Sequence, residues 1–157
     1  GRGTMTPDDR RRMRSAARLY AVQALFQMEA ADQSSDRVLK EFLNWRIAAD
    51  YAEGTTPEAD EDLLAAILED AVNWQARIDQ MTDRALVAKW PIDRIDPVLR
   101  AVFRAAGSEL VGTDTPPRVV ISEYVAVADA FFPEGKEARF VNAVLDHMAR
   151  AARPEAF

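Results

Sequence analysis

Prolines in this chain stand where helices begin, and that placement constrains the fold more than any other feature. Thr6-Pro7-Asp8-Asp9 supplies a capping hydroxyl, a proline whose missing N–H costs nothing at the first helical position, and two acids in the first turn. Thr56-Pro57 repeats the pattern, and Asp96-Pro97 offers a carboxylate cap. Asp114-Thr115-Pro116-Pro117 closes one unit just before another starts. Between these marks the apolar residues recur at three-and-four spacing, the period of an α-helix half buried against its neighbours.

The spacing predicts about seven helices. The first runs from Pro7 to Ala30 with Ala17, Tyr20, Ala21, Ala24, Leu25 and Met28 along one side. The second, about Arg37 to Tyr51, carries Val38, Leu39, Phe42, Leu43 and Trp45. After a Glu53–Pro57 loop, the third presents Leu64, Ile67, Leu68, Ala71, Trp74 and Ile78 in one unbroken register, and a shorter fourth, Thr82 to Lys89, stops at Trp90-Pro91. The fifth opens at Asp96-Pro97 with Val98, Leu99, Val102, Phe103 and Ala106 apolar. Val119 to Ile121 is β-branched and locally strand-like, but Tyr124, Val125, Ala128 and Phe131 continue at helical spacing, which predicts a helix from Pro117 to Phe132. The last helix, Lys136 to Ala152, follows the break at Pro133-Glu134-Gly135. The expected architecture is all-α: two packed helical bundles meeting along the long first and fifth helices, with Trp45, Trp74 and Trp90 serving packing.

A chain of 157 residues fits a single domain, expected over residues 5–157, with Gly1–Thr4 read as an expression scar ahead of Met5. At this size folding buries roughly 68–70% of the surface that the unfolded chain exposes, so no metal or disulfide staple is required. Cysteine is absent, which removes disulfides, thiolate zinc sites and cysteine nucleophiles together and suits a cytoplasmic protein. No apolar run approaches the roughly 18 residues of a membrane span.

Chemistry has little to work with. His147 is the only histidine, no serine lies in a nucleophile elbow, and no glycine-rich phosphate loop is present. Glu69/Asp70 and Asp60/Glu61/Asp62 are consecutive, so on a helix they diverge by about 100° each and do not converge on one ion. Neither catalysis nor a cofactor or metal is expected.

Charge is more informative. The formal net charge of −6 argues against indiscriminate nucleic-acid binding. Yet Arg10, Arg11, Arg12, Arg14 and Arg18 crowd the start, whereas Glu53 to Asp70 contains no Lys or Arg. Arg10, Arg14 and Arg18 are spaced by four, a stripe about 12 Å long with Arg11 beside it, enough for two or three phosphates. Arginine suits that task because its planar fork grips phosphate oxygens in pairs. Asp8 and Asp9 oppose the field. A second basic set, Lys136 and Arg139 beside Phe140, combines backbone-holding cations with a ring on which a base can stack, although the spacing of Phe140 with Val144 favours a core position. The two sets are expected to converge, once folded, into one groove for an RNA strand.

Two C-terminal segments, PPRVVISEYVAVADAFF (116–132) and ARFVNAVLD (138–146), resemble the signature of the NusB transcription antitermination family. Arg14, Ala17 and Arg18 followed by AVQALF (21–26) resemble that family's first helix, and LRAVFRAAGSEL (99–110) its central helix. Ser122 stands where asparagine is common, and Ser108 where a tyrosine precedes the glutamate. The resemblance implies a non-enzymatic all-helical RNA-binding protein. Its partners would be a small-subunit ribosomal protein (NusE), single-stranded boxA-type RNA of ribosomal RNA operons, and the RNA polymerase antitermination complex, with a homodimer left open. By position, Arg14, Arg18, Lys136, Arg139 and Phe140 would face RNA, while Phe26, Leu99 and Arg100 would meet the ribosomal protein. The alternative is a helical protein–protein adaptor with little RNA affinity of its own. A third reading, the helical region ahead of some RNA methyltransferase domains, finds no cofactor-binding motif here.

Overall fold

A computed structural model describes residues 5–46, 59–89, 95–133 and 135–157. Among them run seven α-helices: α1 (Pro7–Ala31), α2 (Ser35–Glu41), α3 (Glu61–Asn73), α4 (Gln75–Lys89), α5 (Pro97–Gly112), α6 (Pro117–Phe131) and α7 (Glu137–Ala152). A π-helical turn, Phe42–Arg46, extends α2, and a 3-10 turn, Pro154–Ala156, follows α7.

The caps read from sequence hold the helix starts. Asp9 N–H donates to the Thr6 hydroxyl and Thr6 N–H to the Asp9 carboxylate, each at 3.1 Å, a reciprocal capping box. Val98 N–H donates to Asp96 at 2.7 Å to open α5. α1 stops at Asp32, whose left-handed φ of 52° is the conformation that ends helices.

α5 is the axis of the molecule, packing against α1, α3, α4, α6 and α7. From Ala101 to Leu110 only Arg104 keeps partial exposure. Small residues make that crowding achievable. Ser108 donates its hydroxyl to the Ile67 carbonyl of α3 at 2.8 Å, and a Cβ on Gly107 would lie 2.5 Å from Ile78 Cγ2 of α4. The α1–α5 seam is the expected one, and a single hydrophobic core draws on all seven helices. Contacts set the directions: Arg18 meets Glu109 and Glu29 meets Arg100, so α5 runs antiparallel to α1. Ser15 meets Glu123, and Val22 and Phe26 share a hollow with Phe131, so α6 runs parallel to α1.

Two expectations need correction. The third helix does not run through Ile78; it ends at Asn73, Trp74 forms the turn, and α4 begins at Gln75. Trp74 is 44% exposed rather than packed, because the turn carries its ring off the buried face. α3 is capped by Asp60, which accepts from Leu63 N–H at 3.0 Å. The expected Thr56-Pro57 cap, the end of the second helix to Tyr51, Gly1–Thr4, Trp90 and the side chain of Trp45 lie outside the described residues.

Gly107→Ala should cost about 1–3 kcal/mol of stability, because the added methyl group meets a β-branched side chain with little room to yield. Equilibrium urea unfolding checks this.

Candidate nucleic-acid interface

The arginine stripe forms, and it descends from solvent into the core. Arg10, Arg11 and Arg14 are exposed along α1 and line a groove of about 950 Å³ between the starts of α1, α3 and α6. Arg11 stands 3.6 Å from Asp8, and Arg14 stands 4.0 Å from Asp60. Arg12 bonds Asp9 at 2.8 Å; this carboxyl is held below its usual range by the Thr6 N–H and hydroxyl and by Arg12.

Arg18, expected among the RNA contacts, is 3% exposed and forms the floor of the groove. Its Nε and Nη2 donate to Glu109 Oε2 and Oε1 at 2.8 and 2.9 Å, a planar two-pronged pair, and Nη1 lies 3.2 Å from Glu123. Its fork is paired with carboxylates of α5 and α6 rather than presented to solvent. Burial works against its charge, but the bonds and charge of Glu109 outweigh that and raise its pKa. Glu109 is wholly buried and accepts two further bonds, from Tyr124 at 2.5 Å and Thr115 at 3.2 Å. Burial first, then the neighbouring Glu109, push the Tyr124 hydroxyl well above its ordinary value, so it stays a donor.

Lys136 and Arg139 are both exposed at the junction of α6 and α7. Phe140 is half-buried, its ring edge-on to Phe103 with centroids 6.0 Å apart, so it anchors the helix start to the core as its spacing favoured. The two basic sets do not converge as expected. Arg10, Arg11 and Arg14 share their groove with Pro116 and Val119 at the start of α6, whereas Lys136 lies past its end. The groove itself is lined by four arginines and four carboxylates (Asp60, Asp62, Asp114 and Glu123), so it is close to neutral.

Of the expected partner-binding residues, Phe26 is 39% exposed beside a hollow of about 430 Å³ that Val22, Ala30, Val98 and Phe131 also line. Leu99 is 6% exposed and faces the core, so it cannot dock a partner; its neighbour Val98 occupies the hollow instead. Arg100 is half-buried and tied to Glu29 at 3.1 Å. Among the described residues no group of His, Asp or Glu is arranged to hold a metal, and no helix is long and apolar enough to cross a membrane.

Sequence reasoning did not find the roles of Glu109, Glu123, Tyr124 and Arg153. Arg153 donates to the carbonyls of Leu110, Glu109, Thr113 and Thr115, the first two at 2.7 and 3.1 Å, tying the end of α5 to the turn beyond it. A signal for Glu109 existed: it is an acid inside an otherwise apolar, small-residue run.

The fold and site thus define an all-α protein arranged around a buried central helix, with an arginine-lined groove at one end of its first helix. The chain belongs to the NusB family, whose model matches residues 15–150. Arg10, Arg11 and Arg14 stand just ahead of the matched segment. It is 44% identical over 151 residues to the transcription antitermination protein NusB of Maricaulis maris, covering 96% of this chain and 94% of that one. The protein of the same name from Granulibacter bethesdensis is 44% identical over 154 residues, covering 94% of each. NusB of T. maritima superposes with a TM-score of 0.71 at 29% identity, covering 98% of this chain and 99% of that one. A chain in the crystal structure of a plectonemic RNA supercoil superposes with a TM-score of 0.70 at 25% identity, covering 89% and 96%.

Two outcomes follow from the buried network. Arg18→Ala should destabilise the protein by about 3–5 kcal/mol, since it strands the Glu109 carboxylate. Arg14→Ala, at an exposed pair, should stay within about 1 kcal/mol. Urea unfolding of both variants separates a structural arginine from a surface one. The raised pKa of Tyr124 means that the folded state keeps a proton which the unfolded state releases near pH 10. Its contribution is therefore complete below about pH 10 and declines as pH rises beyond it. The stability gap between the wild type and Tyr124→Phe should narrow between pH 9 and 11 in the same assay.

Proposed function

We propose that this protein is a non-enzymatic, cytoplasmic, RNA-binding transcription antitermination factor. It pairs with a small-subunit ribosomal protein (NusE) on boxA-type single-stranded RNA of ribosomal RNA operons and brings that pair to the RNA polymerase antitermination complex. Membership of the NusB family carries this reading, with relatives called transcription antitermination proteins matching nearly the whole chain.

Within this reading the site residues take the following roles. Arg10, Arg11 and Arg14 supply phosphate contacts from an exposed helix face. Arg18 positions that face from below. Lys136 and Arg139 hold the strand at the far end of α6, beside the half-buried Phe140. The Phe26 hollow receives an apolar side chain of the ribosomal partner, with Arg100 on the α5 side. The adaptor reading draws on one observation, the near-neutral charge of the arginine groove.

Labelled boxA-type RNA, titrated with and without the ribosomal protein, tests the proposal. The partner should tighten RNA binding, and five cations on the strand should give a log–log salt slope of about −3.5. Replacing Arg10 and Arg14 with alanine should lower RNA affinity about tenfold or more while leaving partner binding intact. Phe26→Ala should do the reverse. A protein that binds the partner but forms no RNA complex in either mixture is the adaptor.

A further inference from the structure

Three carboxylates stand where a phosphate groove would be expected to have none. Asp60, Asp62 and Asp114 line it, and Asp60 Oδ2 lies 4.0 Å from Arg14 Nε. Hydrogen bonds hold the walls that bear them. The Asp60 N–H donates to the Met13 carbonyl of α1 at 3.0 Å, pinning the start of α3 beside the arginine stripe. Asp60 also caps α3, and Asp62 follows in its first turn. Asp114 sits on the α5–α6 turn, where Arg153 holds the carbonyls on either side of it, those of Thr113 and Thr115. The fourth carboxylate, Glu123, is committed to Arg18 and Ser15.

A carboxylate accepts hydrogen bonds and repels phosphate, so each of these groups penalises a backbone laid against it. It rewards a donor, and the donors that a single RNA strand presents are its 2′-hydroxyls and the ring N–H and exocyclic amino groups of its bases, of which only the base groups differ with sequence. The exposed pair of Asp60 with Arg14 is too weak to close the groove, but the three carboxylates share its lining with the arginines and shape the local field. We infer that Asp60, Asp62 and Asp114 form a selectivity wall that admits an RNA strand only in the pose where phosphates meet Arg10, Arg11 and Arg14 and amino-bearing base edges meet the carboxylates. This rests on the RNA-binding reading of the groove and adds what the groove rejects.

The test uses the full chain carrying Asp60→Asn, Asp62→Asn and Asp114→Asn together. Asparagine preserves size, and at residue 60 it keeps the oxygen that caps α3. Two RNAs of equal length are titrated at one salt concentration: a boxA-type oligonucleotide, and an oligonucleotide of N3-methyluridine, whose bases carry no N–H donor. The triple variant should bind the N3-methyluridine oligonucleotide about tenfold more tightly than the wild type does, with a much smaller gain for the boxA-type RNA, so that selectivity collapses. Unchanged affinities, or equal gains for both RNAs, overturn the wall. Arg10→Ala/Arg14→Ala is measured in parallel. If it leaves boxA-type affinity intact, the groove is not the RNA site and both readings fail; if it weakens binding while the triple variant keeps its selectivity, only the wall fails.

Discussion

The pairing of Arg18 with Glu109 sets the geometry on which the surface depends. These residues are 91 positions apart, and their bond locks α1 to the central helix at a single rotation. Bringing two charges into a core is expensive, and such a pair persists only when every lone pair and proton finds a partner. Here the Glu109 carboxylate accepts four hydrogen bonds, from Arg18 twice, Tyr124 and Thr115, so α1, α5, α6 and the turn between the last two share one anion. Stability alone does not explain the arrangement, since apolar residues of similar volume serve cores as well. Registration does. With Arg18 fixed at the floor, Arg14 and Arg10 emerge one and two turns earlier on the same stripe, at the open side of the groove.

A second internal arginine works on the same region. Arg153 follows α7, yet its guanidinium satisfies carbonyls at the end of α5 and in the turn leading to α6. The end of α7 and the start of α6 are thereby tied together, and the acid-bearing turn at Asp114 is fixed from behind. Tyr124 and Thr115 approach the same point from the Glu109 side. A polar cluster with each member satisfied specifies one arrangement of helix ends, where apolar contacts alone tolerate sliding.

Sequence logic recovered the starts of α1 and α5 because caps and prolines act locally: Thr6 with Asp9, and Asp96, do what their positions imply. It lost the α3–α4 boundary because nothing local marks it. Neither glycine nor proline stands there, and Ile78 N–H bonds the Trp74 carbonyl at 2.9 Å, so the apolar register passes through the turn almost unbroken. The arginines failed differently. Spacing assigns Arg10, Arg14 and Arg18 to one face, correctly, but depth along that face depends on a glutamate in another helix. Leu99 and Val98 differ by one position on a helix start, which is enough to exchange core for hollow. Family resemblance supplied the name that periodicity could not, and contacts between distant helices decided which cations remain at the surface.

The separation of the two basic sets constrains any RNA that engages both. α6 has 15 residues, so its ends stand about 22 Å apart at 1.5 Å per residue. Arg10, Arg11 and Arg14 lie at one end, and Lys136 and Arg139 beyond the other. A compact helical RNA meets such a layout poorly, whereas an unpaired strand can extend along the helix and touch down at both ends. Along α6 itself the charged residues are Arg118, Glu123 and Asp129. Affinity then depends on matching contacts at separated places rather than on bulk charge, which is how a protein of net charge −6 can hold RNA without gathering every polyanion it meets.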